Sequence, residues 1–343
     1  LAARETLSQG AFQQAYKFCR SGLSLIENRV DDQEALYVEL CQCAAEAAFY
    51  CGDFDQLNRV LASAPAHNSI LDEVKVRAAV VQNRLSEARD MSKAALRDLG
   101  YRLPDTRYLQ LNALRSTLRG RLPATAKPAP QLDNNNLHQA FRFVGYLLHA
   151  SYHLGEQGLG EYSEDMLRRG RRDGYCAELA FAAACRAVTA IARGDVILAR
   201  RCATDARALA NQFSGDAFAL RANIIISGLV DPWFGGLDQT LNSLSEHLAA
   251  SMAKQDFEFA ATASALYATN GLLRGMELGS LKRSLAEQIG HIAQYRHVTG
   301  INIAHFVQQI VGSLLGHTEV ESYDDSALTI SNSEDQLAHA CVY

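Results

Sequence analysis

The sequence predicts an all-α protein built as an α-solenoid, and three observations lead to this fold class. A short turn recurs along the chain, each time between two stretches of helical apolar periodicity. Small residues follow most of these turns at offsets of five and twelve positions, so they share one helix face that a neighbouring helix can approach closely. No segment alternates apolar and polar residues as a strand would. We therefore expect helical hairpins stacked into a right-handed superhelix.

The recurring turn begins with Gly or Asn and ends with an apolar residue. It occurs as Gly10-Ala11-Phe12, Gly52-Asp53-Phe54, Asn83-Arg84-Leu85, Gly194-Asp195-Val196 and Gly235-Gly236-Leu237. The small residues that follow are Ala15 and Gly22, Ala88 and Ala95, Ala199 and Ala206, with Leu57 and Ala64 a partial match. Turns at Gly160 and Gly275 lack them. Intervals of 34 (Gly160 to Gly194) to 42 residues (Gly10 to Gly52) bracket a tetratricopeptide unit, which predicts degenerate tetratricopeptide-like hairpins.

The predicted helices form two stretches. A connecting segment lies between them, and a terminal segment follows the second stretch. Residues 1–120 are predicted to form the first hairpins, with helices at 11–27, 33–51, 53–63, 69–82, 84–99 and 106–119. Residues 121–134 contain Pro123, Pro128 and Pro130 and begin an asparagine run, which favours a surface crossing and the candidate domain boundary. Residues 135–316 form the second stretch, and 317–343 an acidic loop and a truncated terminal helix. Helices of the second stretch are predicted at 135–154, 160–172, 175–192, 195–213, 216–229, 237–254, 257–274, 278–297 and 300–315.

Charge and composition argue against several partners. The net charge of -5 and pI near 6.1 give no attraction to nucleic acid or to an anionic membrane. No apolar run reaches 18 residues, and the eight cysteines sit in helical patterns as free thiols would. We therefore expect a cytoplasmic protein. The chain begins with Leu1 rather than Met, and we expect it to be a piece of a larger protein.

A search for catalytic motifs favours a chain that is not an enzyme and carries no cofactor or metal. None of the six lysines follows a glycine, so no nucleotide-binding P-loop is present. His149 and His153 are four residues apart on one predicted helix, with His138 upstream, and could share a metal. A third ligand is missing nearby, and Tyr146 and Tyr152 favour a packing layer of polar and aromatic side chains instead.

Two features are candidates for binding a partner. Trp233 lies in a turn between repeats, where it either fills the groove between hairpins or forms an exposed hot spot. A cluster of arginines at a predicted helix C-terminus either offsets the helix dipole in solvent or grips phosphate or an acidic partner. The cluster consists of Arg168, Arg169, Arg171 and Arg172.

Residues 9–12, 46–54 and 94–104 together resemble a known family region. Their order, with the Leu99-Gly100 and Leu103-Pro104 exit from the third hairpin, is similar to the tetratricopeptide-type helical region of large bacterial signalling ATPases of the STAND class. Asp231-Pro232-Trp233, Thr240-Leu241 and residues 256–260 resemble the second half of that region, so the resemblance covers about residues 1–316. It implies that an ATPase module, often after a serine/threonine kinase-like domain, precedes the region, and that GAF and histidine-kinase, cyclase or DNA-binding modules follow.

Two functions remain open from the sequence. The first is a non-catalytic regulatory scaffold that holds a protein partner, or a neighbouring domain of the same polypeptide, in a concave helical groove. The second is a superhelical domain that senses a small molecule and controls a linked ATPase, kinase or transcriptional output. The aromatic-rich residues 141–162 and Trp233 favour the second.

Overall fold

The chain is all-helical in the residues that its computed structural model describes, which are 2–26, 33–65, 68–104, 130–156, 158–293 and 299–316. Within these ranges no strand forms, and a single isolated parallel bridge joins Gln131 to Tyr175. The all-α prediction is therefore confirmed. None of the described helices is long and apolar enough to cross a membrane.

The chain divides into two compact units, Leu1–Gln82 and Asn83–Tyr343. The predicted helix at 106–119, most of the predicted crossing at 121–134 and the terminal segment 317–343 lie outside the described residues, so those predictions stay predictions.

The first unit contains five helices. Their apolar faces meet in one core, to which Cys19, Cys41, Leu57 and Leu71 contribute side chains with at most 1% exposure. Gly22 lies against Leu40, where an added Cβ would come within 3.0 Å of the leucine side chain, so the small residue permits close packing of α2 on α3. The helices are α1 (Ala2–Ser8), α2 (Phe12–Ile26), α3 (Glu34–Tyr50), α4 (Phe54–Ser63) and α5 (Ser69–Val81).

The second unit contains ten described α-helices, and each of them contacts the next one along the chain. They are α6 (Leu85–Asp98), α7 (Asn135–His153), α8 (Leu159–Asp173), α9 (Ala177–Ala192), α10 (Val196–Gln212), α11 (Ala217–Ile225), α12 (Leu237–Ala253), α13 (Phe257–Arg274), α14 (Leu278–Ala293) and α15 (Thr299–Leu314). Helix α9 also packs on α7 and α11, and its buried alanines allow these close approaches.

The recurring turn has one physical basis at most of its positions. Gly52 and Gly194 adopt left-handed φ angles of 66° and 75°, a conformation that glycine tolerates without strain. The next residue then caps the following helix: the carboxylate of Asp53 accepts a hydrogen bond from the amide of Gln56, and that of Asp195 from Leu198. One helix therefore ends and the next begins within two residues, as the sequence predicts.

One turn and one helix end differ from the prediction. Gly160 lies inside the first turn of α8, because Gly158, at φ 121°, takes the unusual backbone conformation and caps the helix instead. The predicted helix 216–229 ends as an α-helix at Ile225 and continues as a π-helix over Ile226–Val230, followed by a short 3-10 turn over Asp231–Trp233. Wider π turns often occur at functional sites.

Candidate functional site

A cavity of about 230 Å³ lies among the helices of the second unit, and its wall is almost entirely apolar. Helices α7, α9 and α13 supply most of the wall, and α8, α11 and the π-helix supply the rest. The lining residues are Leu148, His149, Tyr152, His153, Leu159, Phe181, Cys185, Val188, Ile225, Leu229, Phe259, Thr262, Ala265, Leu266 and Thr269. The predicted aromatic-rich stretch 141–162 thus contributes five of these residues.

The π-helix shapes one side of this cavity. Gly228 packs on α13 so closely that an added Cβ would lie 2.5 Å from Cδ1 of Leu266, itself a wall residue. The side-chain amide of Asn270 donates hydrogen bonds to the backbone oxygens of Gly228 (3.1 Å) and Leu266 (2.8 Å). This amide therefore fixes the wide turn to α13 and holds Ile225 and Leu229 at the cavity wall.

Beside the cavity, α7 and α13 bring together the two histidines and a carboxylate. Nε2 of His149 lies 2.7 Å from Oε1 of Glu258, and both side chains are almost fully buried. The two atoms are close enough for an ion pair but are not aligned as a hydrogen bond is. The His149 and His153 rings lie 4.6 Å apart, and the ring of Tyr152 meets His153 edge-on. The arrangement is that of a packed polar and aromatic layer.

A second buried ion pair lies in the same region. The guanidinium of Arg221 makes two hydrogen bonds to the carboxylate of Asp256, at 2.7 and 3.2 Å. It also lies over the rings of Phe218 and Phe259, at 4.7 and 4.8 Å from their centroids. Burial opposes the charge of Arg221, but Asp256 outweighs it and raises the pKa above its ordinary value. No sequence pattern indicates this pair, because its members are 35 residues apart.

The predicted arginine cluster lies at the C-terminal end of α8, and its members are paired with acidic residues. Asp165, only 4% exposed, accepts hydrogen bonds from Arg168, Arg169 and Tyr101. Arg171 pairs with Glu164, and Arg172 with Asp173. The guanidinium of Arg169 also lies 4.1 Å from the ring centroid of Tyr101. Within the described chain, these contacts hold α8 to the segment around Tyr101.

Trp233 is 66% exposed in the 3-10 turn, so it does not fill a groove between hairpins in the described structure. That packing interpretation is wrong, because the turn points the indole outward while its neighbour Phe234 is covered by the guanidinium of Arg200 at 4.7 Å. Ile197, one turn before Arg200 on α10, is 72% exposed.

A third cluster joins the first turns of α7 and α9. His138, which the sequence places upstream of His149 on the same predicted helix, lies 3.2 Å from the carboxylate of Glu178, beside Cys176. Burial and then the neighbouring Glu178 raise the pKa of the Cys176 thiol. Burial opposes ionisation of Glu178, but His138 and Arg142 outweigh it and hold its pKa below the usual value. Sequence reasoning missed Cys176 and Glu178, for which the spacing Cys-x-Glu at a helix start was the available signal.

Comparison of the chain with protein-family models, with curated proteins and with solved structures gave no match. The side chains described above are therefore the basis on which a function is proposed.

Proposed function

We propose that this chain is a non-catalytic regulatory region, an α-solenoid of tetratricopeptide-like hairpins, that senses a small and largely apolar molecule in the cavity of its second unit. The observation that carries the proposal is the apolar cavity of about 230 Å³ with the buried contact between His149 and Glu258 beside it. Within each unit, contacts between each described helix and the next one along the chain support the solenoid arrangement. The resemblance to STAND-class ATPases supports a linked ATPase, kinase or transcriptional output.

The volume of the cavity sets the size of the ligand. An engineered apolar cavity of about 150 Å³ stays dry and binds benzene. The cavity here, at about 230 Å³, has roughly one and a half times that space. A substituted single ring or a fused bicyclic ring such as that of indole or indane would fill it.

The wall restricts the ligand to few polar groups. The hydroxyl of Thr262 donates to the backbone oxygen of Glu258, and that of Thr269 to the backbone oxygen of Ala265, so neither donor is left for a ligand. The other polar side chains of the wall are the imidazoles of His149 and His153 and the phenol of Tyr152. A mostly apolar ligand with one polar group turned toward these rings matches both the volume of the cavity and the low polarity of its wall.

The wall favours binding over catalysis. Cys185 is the thiol of the wall, and burial raises its pKa to about 12. It is therefore protonated at neutral pH and is a poor nucleophile. The two threonine hydroxyls are bonded to backbone oxygens, so the wall presents no activated nucleophile.

Occupancy of the cavity provides the regulatory coupling. The wall is shared by α7, α9 and α13, together with the π-helix, so a bound molecule favours the arrangement in which these elements are packed as described. A ligand shifts the equilibrium between two conformations only by its difference in affinity for them. Packing of several helices around one bound molecule supplies that difference in affinity. A linked module would then change its activity in response to the change in conformation.

The test is a thermal-shift and calorimetric screen of the chain with monocyclic and bicyclic ring compounds, indole and 2-aminoindane among them. A ligand at a hundredfold excess over its Kd adds about 2.7 kcal/mol of stability. Ala265→Leu, which places a larger side chain in the wall, is expected to abolish that stabilisation. The exposed Ala253→Leu in α12 is the matched control and leaves it unchanged. Absence of any stabilising compound, or equal binding by Ala265→Leu, would contradict the proposal.

The exposure of Trp233 favours a second function, a docking surface for a protein partner or a neighbouring module. Exposed tryptophans are frequent hot spots, and Ile197 adds exposed apolar area on α10. Trp233→Ala is expected to weaken binding of an ATPase or output module, of the kind that the resemblance implies, by more than about tenfold, a cost of at least 1.4 kcal/mol. If titration shows that the unmodified chain and Trp233→Ala bind the module equally well, Trp233 does not have this role.

A further inference from the structure

The cluster of His138, Cys176 and Glu178 has the composition of a metal site. One ligand atom of each residue lies within 4.8 Å of the other two. Nε2 of His138 lies 3.2 Å from Oε2 of Glu178. Imidazole, thiolate and carboxylate together are ligands that suit Zn²⁺, which has borderline softness and no preferred geometry of its own.

The backbone around the cluster is fixed by a close approach. Gly174 has a φ of +123°, and an added Cβ there would lie 2.8 Å from Cα of Leu132. The amide of Leu132 donates to the oxygen of Tyr175 (2.9 Å), and the amide of Tyr175 donates to that of Pro130 (2.8 Å). These bonds hold the residues before α9 in place and so position Cys176 at the start of that helix. The backbone that carries Cys176 is therefore held in a fixed position.

Glu178 is a buried carboxylate whose hydrogen bonding is incomplete. Its side chain is 0% exposed, and in the described chain neither oxygen makes an aligned hydrogen bond. Burial of an ionised carboxylate is costly, and the neighbouring His138 and Arg142 offset that cost for Glu178. A cation between Glu178, His138 and Cys176 would offset it further.

Arg142 does not occupy the position that a cation would take. Its Nη1 lies 3.5 Å from Oε1 of Glu178, whereas His138 faces Oε2. Oε2 is therefore the oxygen available to a metal, and Arg142 holds the other one. Carboxylates that bind metals are commonly oriented by an outer partner in this way.

We propose that His138, Cys176 and Glu178 bind one Zn²⁺ ion, which ties the first turn of α7 to the start of α9. The three side chains supply Nε2, Sγ and Oε2, and water completes the tetrahedral set through the side that His138, 43% exposed, leaves open to solvent. On binding, the Cys176 thiol loses its proton to solvent as the zinc–sulfur bond forms. Helices α7 and α9 also supply wall residues of the cavity, so the ion would stiffen two of its sides.

The experiment is calorimetric titration of the chelator-treated 343-residue chain with zinc chloride in two buffers of different ionisation enthalpy. One zinc per chain is expected, with a Kd of about 1 µM or tighter and release of about one proton. Substitution of Co²⁺ for zinc is expected to give a thiolate-to-metal charge-transfer absorption. These two readouts report the ligands directly and need no knowledge of the cavity's ligand.

Two variants and one control separate ligand loss from unfolding. His138→Gln alters a half-exposed side chain and Cys176→Ala a buried one, and each is expected to weaken zinc binding by about 100-fold or more. Cys176→Ala also removes the cobalt charge-transfer band. Cys202→Ala, which removes a buried thiol of α10, leaves both readouts unchanged. Circular dichroism checks that each variant is folded. No saturable zinc binding, or binding that folded His138→Gln and Cys176→Ala retain, would overturn the proposal.

Discussion

Replacing Asp256 with alanine removes the carboxylate partner of the buried Arg221 guanidinium. The two side chains are only 9% (Arg221) and 7% (Asp256) exposed. Asp256 also precedes α13, but its side chain does not cap that helix, because it is directed to Arg221 instead. The substitution therefore leaves the helix start unchanged and leaves a buried charge without its bidentate partner.

The contacts allow an estimate of the cost. Loss of one partner of a buried ion pair destabilises a protein by about 3–5 kcal/mol. Glu258 also raises the pKa of Arg221 and would offset part of the lost interaction. The rings of Phe218 and Phe259 remain on the guanidinium. We therefore expect a loss near the lower limit, about 3 kcal/mol. Asp256→Asn keeps the shape and one acceptor, and we expect it to lose about half as much.

Urea unfolding gives the free energies of unfolding. It is followed by circular dichroism and by the fluorescence of the single tryptophan, Trp233, which lies in the second unit. An apolar pair, Arg221→Met with Asp256→Leu, is expected to be no less stable than Asp256→Ala, because it leaves no unpaired charge. Asp256→Ala within about 0.5 kcal/mol of the parent chain, a range typical of surface substitutions, would refute the reasoning.

Three further substitutions test other features. Gly174→Ala is expected to cost about 1–3 kcal/mol, because its Cβ would contact Leu132 at 2.8 Å and its φ of +123° suits glycine; urea unfolding that shows no loss contradicts this. Burial lowers the pKa of His247, so the parent chain should lose stability as the pH falls below about 6.5, and His247→Gln should remove that part of the slope. The Cys19 thiol and Arg4 lower the pKa of Cys43 below its ordinary value, against the effect of burial. Cys19→Ala should raise the midpoint pH of Cys43 alkylation, and an unchanged midpoint would show that the thiol contact is unimportant.

Most helix boundaries could be predicted because they depend on local chemistry. Gly52 and Gly194 end one helix in the left-handed conformation, and Asp53 and Asp195 cap the next, all within a few residues. The π-helix over Ile226–Val230 could not be predicted in this way, because its wide turn is fixed by Asn270, more than 40 residues away.

The candidate sites were less predictable, since their members come from distant helices. His149 and His153 were visible as a pair in the sequence, but the cavity beside them needs Phe181 and Phe259 from two other helices. The sequence assigned His138 no partners, because spacing on one helix cannot show that α9 brings Cys176 and Glu178 to it. The arginine cluster was recognised, and its pairing with Asp165 is local, at i,i+3 and i,i+4 on α8, whereas the contacts of Asp165 and Arg169 with Tyr101 depend on the fold.

The shape of the cavity depends on the number of residues in the π-helix as well as on their identity. A π turn closes its hydrogen bonds over five residues instead of four, so it holds one residue more than the α-helix that would replace it. Deleting one residue between 226 and 230 would restore a regular helix and remove the wide turn, while the residues that follow keep their orientation because the wide turn holds the extra residue. Leu229 would then leave the wall, and Gly228 would no longer meet Leu266. Homologues that are one residue shorter at this point would therefore have a different ligand or none, however similar their remaining residues are.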